Sequence, residues 1–405
     1  MFSIDFATLS NFIYKDYFYS KLFLYNKTFM IKKLGFLFLF ALLFSCKTEQ
    51  QKTIDRNVVV DSTITAFQTK LTQQQIDTVF KKYHFNGSIA VFKDSTLLYI
   101  KQNGYSNFKS KTKIDNNTIF AIGSVSKQFT AVLILLQKEQ GKLKLEDKVS
   151  QFLPDFRIKE YENITINQLL NHTSGLNIMG NRLMFRSGTG FFYSNDGFNA
   201  LGQIVEKVSG KSYDENVTEL FSKIGLQHSS TASTFKTGNF ASAYLGNDKV
   251  QEVVHNMPKR LAGKEIGTPA GGILSTIDDL HLWNQKLYGG KILKPETLKE
   301  FTKKSAERQH AVFGKMGYAY GIMLNTGKPE AYFHSGYVKG SPSLNIYYPE
   351  TKTSVIILSN IADENKGKNA VFNPHKEVKN ITDNLQNVIV DLQKDLLKPV
   401  EHKNE

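Results

Sequence analysis

The spacing of apolar and polar positions changes several times along the chain. Ile76, Val79, Phe80 and Tyr83 recur as one helix face, and Thr72-Gln73-Gln74-Gln75 just before them has capping-box spacing. A helix is therefore predicted from about residue 72. Gly87-Ser88-Ile89-Ala90-Val91-Phe92 and Leu97-Leu98-Tyr99-Ile100 are apolar runs around Lys93-Asp94-Ser95-Thr96, which predicts a hairpin. Residues 124–139 read as a helix that stops before Gly141, and from about 140 to 230 the pattern stays mostly helical, with Gly, Asn and Ser breaks. Val355-Ile356-Ile357-Leu358 is rich in β-branched residues and predicts a buried strand, with Ser343–Pro349 as its hairpin partner. Ile381, Leu385, Val388, Ile389, Leu392 and Leu396 form a last helical stripe. Strands at both ends with helices between them imply an α/β (α+β) fold in a domain of residues 71–398. One lobe (about 71–135 and 270–398) is completed by both termini, and a helical lobe (about 136–269) is inserted in it.

The N-terminal region follows a different logic. Met30 is followed by Ile31-Lys32-Lys33, an eleven-residue apolar run from Leu34 to Phe44, then Ser45 and Cys46. That run is too short to span a bilayer as a helix, which takes about 20 residues. A basic stretch, a short apolar core and a small residue before a cut describe a secretory signal over residues 30–45. Leu43-Phe44-Ser45-Cys46 resembles the lipobox of bacterial lipoproteins. The resemblance implies lipidation of Cys46, which becomes the mature N-terminus, and residence in the bacterial cell envelope, at the periplasmic or outer surface. Residues 1–29, ten of which are Phe or Tyr, show no periodicity and read as a non-native leader ahead of a start at Met30. Residues 46–70 are polar and read as a tether.

Composition narrows the chemistry. Of the 405 residues, 41% are hydrophobic and 22% charged, enough for a sizeable core. A single cysteine excludes an internal disulfide, a Cys-x-x-Cys pair and a multi-cysteine metal site. The net charge of +14 raises the question of an anionic partner. Only six of the 51 basic residues are Arg, and the lysines are scattered, which argues against nucleic acid. Residues 1–45 hold five Lys and two Asp, so the chain from Cys46 carries +11, suited to an anionic membrane or cell-wall polymer. No Gly-x-Ser-x-Gly elbow, complete phosphate loop or His-Glu-x-x-His pair occurs, so no metal and no cofactor is expected.

Ser124 and Lys127 stand three residues apart at the start of a helix, which places hydroxyl and amine on one face. A serine needs a base to become a nucleophile, and a lysine of lowered pKa can serve. Ser126 is expected to point away from that face. Tyr193-Ser194-Asn195 adds a phenol, whose phenolate a cationic lysine would favour, and an amide that can donate to a carbonyl. His334-Ser335-Gly336 precedes the predicted strand pair; the glycine permits close approach, and the histidine could polarise or shuttle a proton. Trp283 and Tyr318–Tyr320 read as core or groove wall.

Together these motifs resemble the serine β-lactamase and penicillin-binding-protein family, in the branch of class C β-lactamases and D-alanyl-D-alanine carboxypeptidases. Phe85–Val91, Ile164–Leu176 (with Asn171-His172-Thr173-Ser174-Gly175) and Pro269–Leu280 are similar to further stretches of that branch, in order and spacing, from about 75 to 395. The resemblance implies an antiparallel sheet flanked by helices plus an inserted all-helical lobe. It also implies Ser124 as acylated nucleophile, Lys127 as its activating partner, and Tyr193 as base and leaving-group acid. Asn195 would bind the substrate amide and His334 a substrate carboxylate. The backbone N–H groups of Ser124 and Tyr337, after Gly336, would form the oxyanion hole. His334 stands where efficient class C β-lactamases have lysine, which shifts the expectation toward a D-amino-acid peptidase, amidase or esterase. Ser187-Gly188-Thr189-Gly190 lacks the proline often found before Tyr-Ser-Asn, and only 17 residues separate Gly175 from Tyr193, so a reduced site wall is expected. A class C-type β-lactamase and a low-turnover penicillin-binding or sensor lipoprotein stand as the alternatives. The substrate expected is a small molecule or a peptidoglycan fragment.

Overall fold

The computed structural model describes residues 48–177, 182–262, 266–367 and 369–400. Cys46 and the segments read as leader and signal lie outside the described residues. Eight strands form the central sheet: β1 (Gly87–Lys93), β2 (Thr96–Asn103), β3 (Ala306–His310), β4 (Gly314–Tyr318), β5 (Met323–Leu324), β6 (Tyr332–Val338), β7 (Ser341–Tyr348) and β8 (Thr353–Ser359). Their order is β3-β4-β5-β6-β7-β8-β1-β2, antiparallel throughout. The N-terminal hairpin thus completes a sheet built mainly from the C-terminal third. Lys93 pairs with Thr96, so the predicted four-residue turn tightens to Asp94-Ser95, with Asp94 at φ 47°. An aspartate tolerates that left-handed position better than most residues.

Both faces of the sheet are covered, which explains the unbroken apolar runs in β1 and β8. Ile89, Val91, Val355 and Ile357 pack with Ile76, Val79, Phe80 and Val378 in one core. Ala90, Phe92, Ile356 and Leu358 belong to the other, with Phe129, Leu133, Leu280 and Trp283. The helices concerned are α1 (Glu49–Tyr83), α2 (Lys127–Glu139), α3 (Asn195–Ser209), α4 (Tyr213–Ile224), α5 (Ile277–Tyr288) and α6 (Asn373–Leu396). Each apolar side chain fully buried this way contributes about 1.5–3 kcal/mol.

α1 corrects the expected tether. It is a single 35-residue helix, so most of residues 46–70 is helical, and Thr72 lies inside the helix rather than at its start. The buried stripe runs Ile64, Gln68, Thr72, Ile76, Val79 and Phe80. Two polar residues interrupt it, which hides the helical period in the sequence. Ile64 packs against Leu385 and Ile389 of α6, and Asp61 takes the Lys93 ammonium at 2.8 Å.

α2 is buried from Lys127 through Leu135, as a helix at the centre of a fold must be. Trp283 Nε1 donates to Gln128 Oε1 at 2.6 Å, and the Thr130 and Tyr213 hydroxyls meet at 2.6 Å. Residues Val58–Leu397 form one compact unit. The middle segment, expected to be all-helical, also holds short strands at Ser230–Thr231, Tyr244–Gly246 and Gln251–Val253. Ser230–Thr231 pairs with Ile273–Ser275, which also pairs with Phe120–Ala121.

The feature that positions the site is the docking of β6 on the 3₁₀ turn Gly123–Ser126 that leads into α2. Gly123 turns at φ 51°, and a Cβ there would stand 2.6 Å from the Tyr337 nitrogen. A Cβ on Gly336 would fall 1.9 Å from the Ile122 carbonyl oxygen, which also accepts from Ser343 Oγ at 2.8 Å. Two strand elements can approach this closely only where side chains are missing. Gly336→Ala is expected to destabilise the fold by about 1–3 kcal/mol through overpacking. Urea denaturation reads this, with Gly327→Ala, whose Cβ meets nothing within 4 Å, as the near-neutral control.

Candidate active site

Ser124 lies within the 3₁₀ turn and Lys127 opens α2, so one continuous helical turn carries both. The Lys127 amine is fully buried. It lies 3.0 Å from Ser124 Oγ and donates to Asn195 Oδ1 at 2.8 Å and to the Ala270 carbonyl at 2.7 Å. Burial, and after it the Arg308 guanidinium, hold this amine well below the ordinary lysine range. A neutral amine has two N–H bonds, and two carbonyl oxygens take both. Its lone pair then faces the Ser124 hydroxyl. Ser126 points elsewhere, as expected: its Oγ accepts from the Ile273 N–H at 3.0 Å, tying the turn to the neighbouring strand.

The Tyr193-Ser194-Asn195 segment leads into α3. Ser194 is the N-cap and accepts from the Gly197 N–H at 3.1 Å, the reason the helix begins here. Asn195 is exposed apart from its tie to Lys127. Tyr193 differs from the expectation. Burial pushes its phenol up to about 12, against the opposing pull of Arg308 and of a hydrogen bond with Ser124. Tyr193 therefore keeps its proton at neutral pH and is suited to give one. The cation closest to its ring is Arg308, 4.3 Å from the centroid, with the Lys127 nitrogen at 4.8 Å.

Arg308 carries no motif in the sequence. It lies on edge strand β3, and among the described residues no carboxylate pairs with it; its one polar neighbour is the Met323 sulfur at 3.6 Å. The strand pairing alone brings it to the site.

His334 also departs from its expected role. It is 1% exposed, and both ring nitrogens are engaged. Nε2 lies 3.1 Å from the Tyr318 hydroxyl and Nδ1 is 2.6 Å from the Ser335 carbonyl. Burial first, with the Arg308 charge adding to it, keeps it well below the usual histidine range, hence neutral. It is enclosed instead of being presented as a cation to a substrate carboxylate. Tyr318, read as wall or core, joins it to His172 at 3.1 Å.

Gly336 and Tyr337, the segment expected to supply an oxyanion-hole donor, lie against the turn that carries Ser124. Tyr337 stands opposite Pro342, one step from the tight turn that pairs Val338 with Ser341. That alternation directs its N–H away from β7, and the Tyr337 nitrogen abuts Gly123, next to Ser124.

The β-lactamase family model matches residues 62–373. The chain belongs to that family. It is 27% identical over 340 residues to penicillin-binding protein 4* of Bacillus subtilis, covering 75% of this chain and 74% of that one. It is also 27% identical over 333 residues to protein Flp of Staphylococcus aureus, covering 73% of this chain but only 64% of the relative. An octameric penicillin-binding-protein homologue from Pyrococcus abyssi superposes with a TM-score of 0.66 at 25% identity, over 80% of this chain and 78% of that one. A D-amino acid amidase from Ochrobactrum anthropi superposes with a TM-score of 0.67 at 20% identity, over 79% and 99%, which shows the shared fold.

Arg308 sets a pH test. The neutral form of Lys127 is the one able to accept the Ser124 proton, so activity rises with pH through the lysine's titration. Arg308 lowers the pKa of that amine, and removing the guanidinium raises it. Arg308→Met is expected to move the acid limb of the kcat/KM profile to higher pH while Arg308→Lys keeps it close to wild type. An unmoved limb in Arg308→Met would count against the electrostatic coupling.

Proposed function

We propose that the protein is a serine hydrolase working through an acyl-enzyme on Ser124, and that it acts on D-amino-acid peptides, amides or esters. The observation that carries the reading is the buried Lys127 amine, 3.0 Å from Ser124 Oγ with both N–H bonds of its neutral form engaged by Asn195 and Ala270. Lys127 takes the Ser124 proton as Oγ attacks the substrate carbonyl carbon. The carbonyl oxygen becomes an oxyanion held by the Ser124 and Tyr337 N–H groups. The Tyr193 phenol gives its proton to the leaving amine or alkoxide as the tetrahedral intermediate collapses to the ester on Ser124. Water then adds, losing a proton to the Tyr193 phenolate, and the acid departs as the Ser124 oxygen takes back the proton that Lys127 holds. Lys127 and Tyr193 titrate as a coupled pair, so the pH profile belongs to both. Asn195, exposed beside them, holds the substrate amide.

The histidine in place of lysine at 334 supports peptidase, amidase or esterase work over efficient β-lactam hydrolysis. The lipobox-like stretch at Leu43–Cys46 supports an exported, lipid-anchored protein of the cell envelope. No helix among the described residues is long and apolar enough to cross a membrane.

Intact-protein mass spectrometry with a fluorophosphonate and a fluorescent penicillin tests the chemistry. One adduct is expected on wild type and none on Ser124→Ala; an unlabelled wild type with both probes rejects the nucleophile. A penicillin adduct that persists for hours, with no D-amino-acid amide or ester consumed, would favour the low-turnover penicillin-binding reading. Fast loss of the adduct with β-lactam turnover would favour a β-lactamase. For the anchor, Cys46→Ser is expected to move the protein from the membrane pellet to the soluble fraction, and continued pelleting would refute lipidation there.

A further inference from the structure

The stretch Asn171-His172-Thr173-Ser174-Gly175 and the buried Tyr318 have no part in the chemistry above, yet they lie directly beneath it. His172 is 1% exposed and Tyr318 is fully buried. The Ser194 N–H donates to His172 Nδ1 at 3.1 Å. His172 Nδ1 is therefore an acceptor, and in the neutral ring the proton sits on Nε2. That Nε2–H faces the Tyr318 hydroxyl oxygen at 3.1 Å, so it donates there. The Tyr318 O–H is left to donate to His334 Nε2, also at 3.1 Å. His334 Nε2 is then bare, its proton is on Nδ1, and Nδ1–H donates to the Ser335 carbonyl at 2.6 Å. Every donor and acceptor is used once, and the chain runs in a single direction.

Its two ends matter. One end is the backbone of Ser194, between Tyr193 and Asn195. The other is Ser335 on β6, two residues before Tyr337. We propose that His172 and Tyr318 are positioning residues: with His334 they form a buried, one-directional hydrogen-bond ruler that sets the distance between the Tyr193–Asn195 segment and the oxyanion strand β6. The proposal rests on the serine-hydrolase reading for its kinetic consequences but not for its hydrogen bonding. His172 holds a backbone φ of 61°, which fixes where its ring enters the chain. The ring is walled by Phe191, Tyr193, Phe198 and Tyr318, with centroids at 5.7, 4.4, 5.1 and 4.9 Å. It can neither swing away nor admit water without moving Tyr193 itself. Burial above all, with the Arg308 charge adding to it, keeps His172 in the neutral form the chain requires. A protonated ring at either histidine would put two donors face to face and break the sequence.

Two experiments test it. In ¹⁵N NMR of the wild-type protein at neutral pH, His172 is expected as the neutral Nε2–H tautomer and His334 as the neutral Nδ1–H tautomer. The opposite tautomer at either ring, or a ring titrating near 6.5, overturns the proposal whatever the enzyme's activity. In kinetics with the ester that Ser124 turns over, Tyr318→Phe removes the central hydroxyl and keeps the ring. It is expected to lower kcat by about 10- to 100-fold, the scale of a small misplacement of reacting groups, with KM within about twofold. His172→Asn tolerates the left-handed backbone and keeps an acceptor near Ser194, but is too short to reach Tyr318; it is expected to lose a similar factor. The double variant is expected to lose no more than the worse single one, because both cut the same chain. Unchanged kcat in Tyr318→Phe, or losses that multiply in the double variant, overturn the proposal. Loss of Ser124 labelling in wild type would instead overturn the hydrolase reading and leave the NMR test standing.

Discussion

A lysine amine with no access to water and, among the described residues, no carboxylate bonded to it is the constraint around which this structure is arranged. Taking an ammonium out of water without a counter-ion is prohibitively costly, so the group gives up its proton instead. Lys127 can be buried only because Asn195 and Ala270 accept its N–H bonds and Ser124 meets its lone pair. The three partners come from three separate places: the turn before α2, the start of α3 and residues 268–271. Forming the lysine's environment therefore requires the halves of the fold to come together. Arg308 adds a fixed charge over the Tyr193 ring, which disfavours a second cation nearby.

The same economy governs the strand opposite. β6 lies closely against the turn that carries Ser124, with the Tyr337 nitrogen beside Gly123. Gly123 and Gly336 supply the room, and Ser343 fastens the strand to Ile122. His172 and His334 are neutral and enclosed. They act on geometry, and among the described residues the charge over the Tyr193 ring is that of Arg308. A buried polar network of this kind is favourable only when every member is satisfied, and here the direction of each bond follows from the last.

Much of this was legible in the chain. Ser124 and Lys127 announce themselves by their spacing, the β1–β2 and β7–β8 hairpins by short apolar runs, and α6 by its stripe. The first half of α1 was not, because Gln68 and Thr72 occupy buried positions where an apolar residue would reveal the period. Arg308 was not either: it stands in Ala306-Glu307-Arg308-Gln309-His310, an edge strand whose polar residues carry no core-facing signal. His334 was legible as a residue of the site but not in its role. A histidine reads the same in a sequence whether it faces substrate as a cation or lies beneath the floor as a neutral spacer.

By itself, then, the sequence determined the local units: which residues form each hairpin and helix, which serine and lysine share a helical turn, and which glycines mark close approach. Those follow from short-range periodicity and from the chemistry of neighbours a few positions apart. Only the tertiary structure decided the protonation states and the partners. The lysine is pushed toward its neutral form because burial, and after it Arg308, disfavour its charge, the tyrosine keeps its proton because burial outweighs a cation 115 residues further along the chain, and the histidine tautomers are set by bonds between residues 172, 318 and 334. Desolvation and hydrogen-bond direction depend on what surrounds a group in space, and that information is spread over the whole chain.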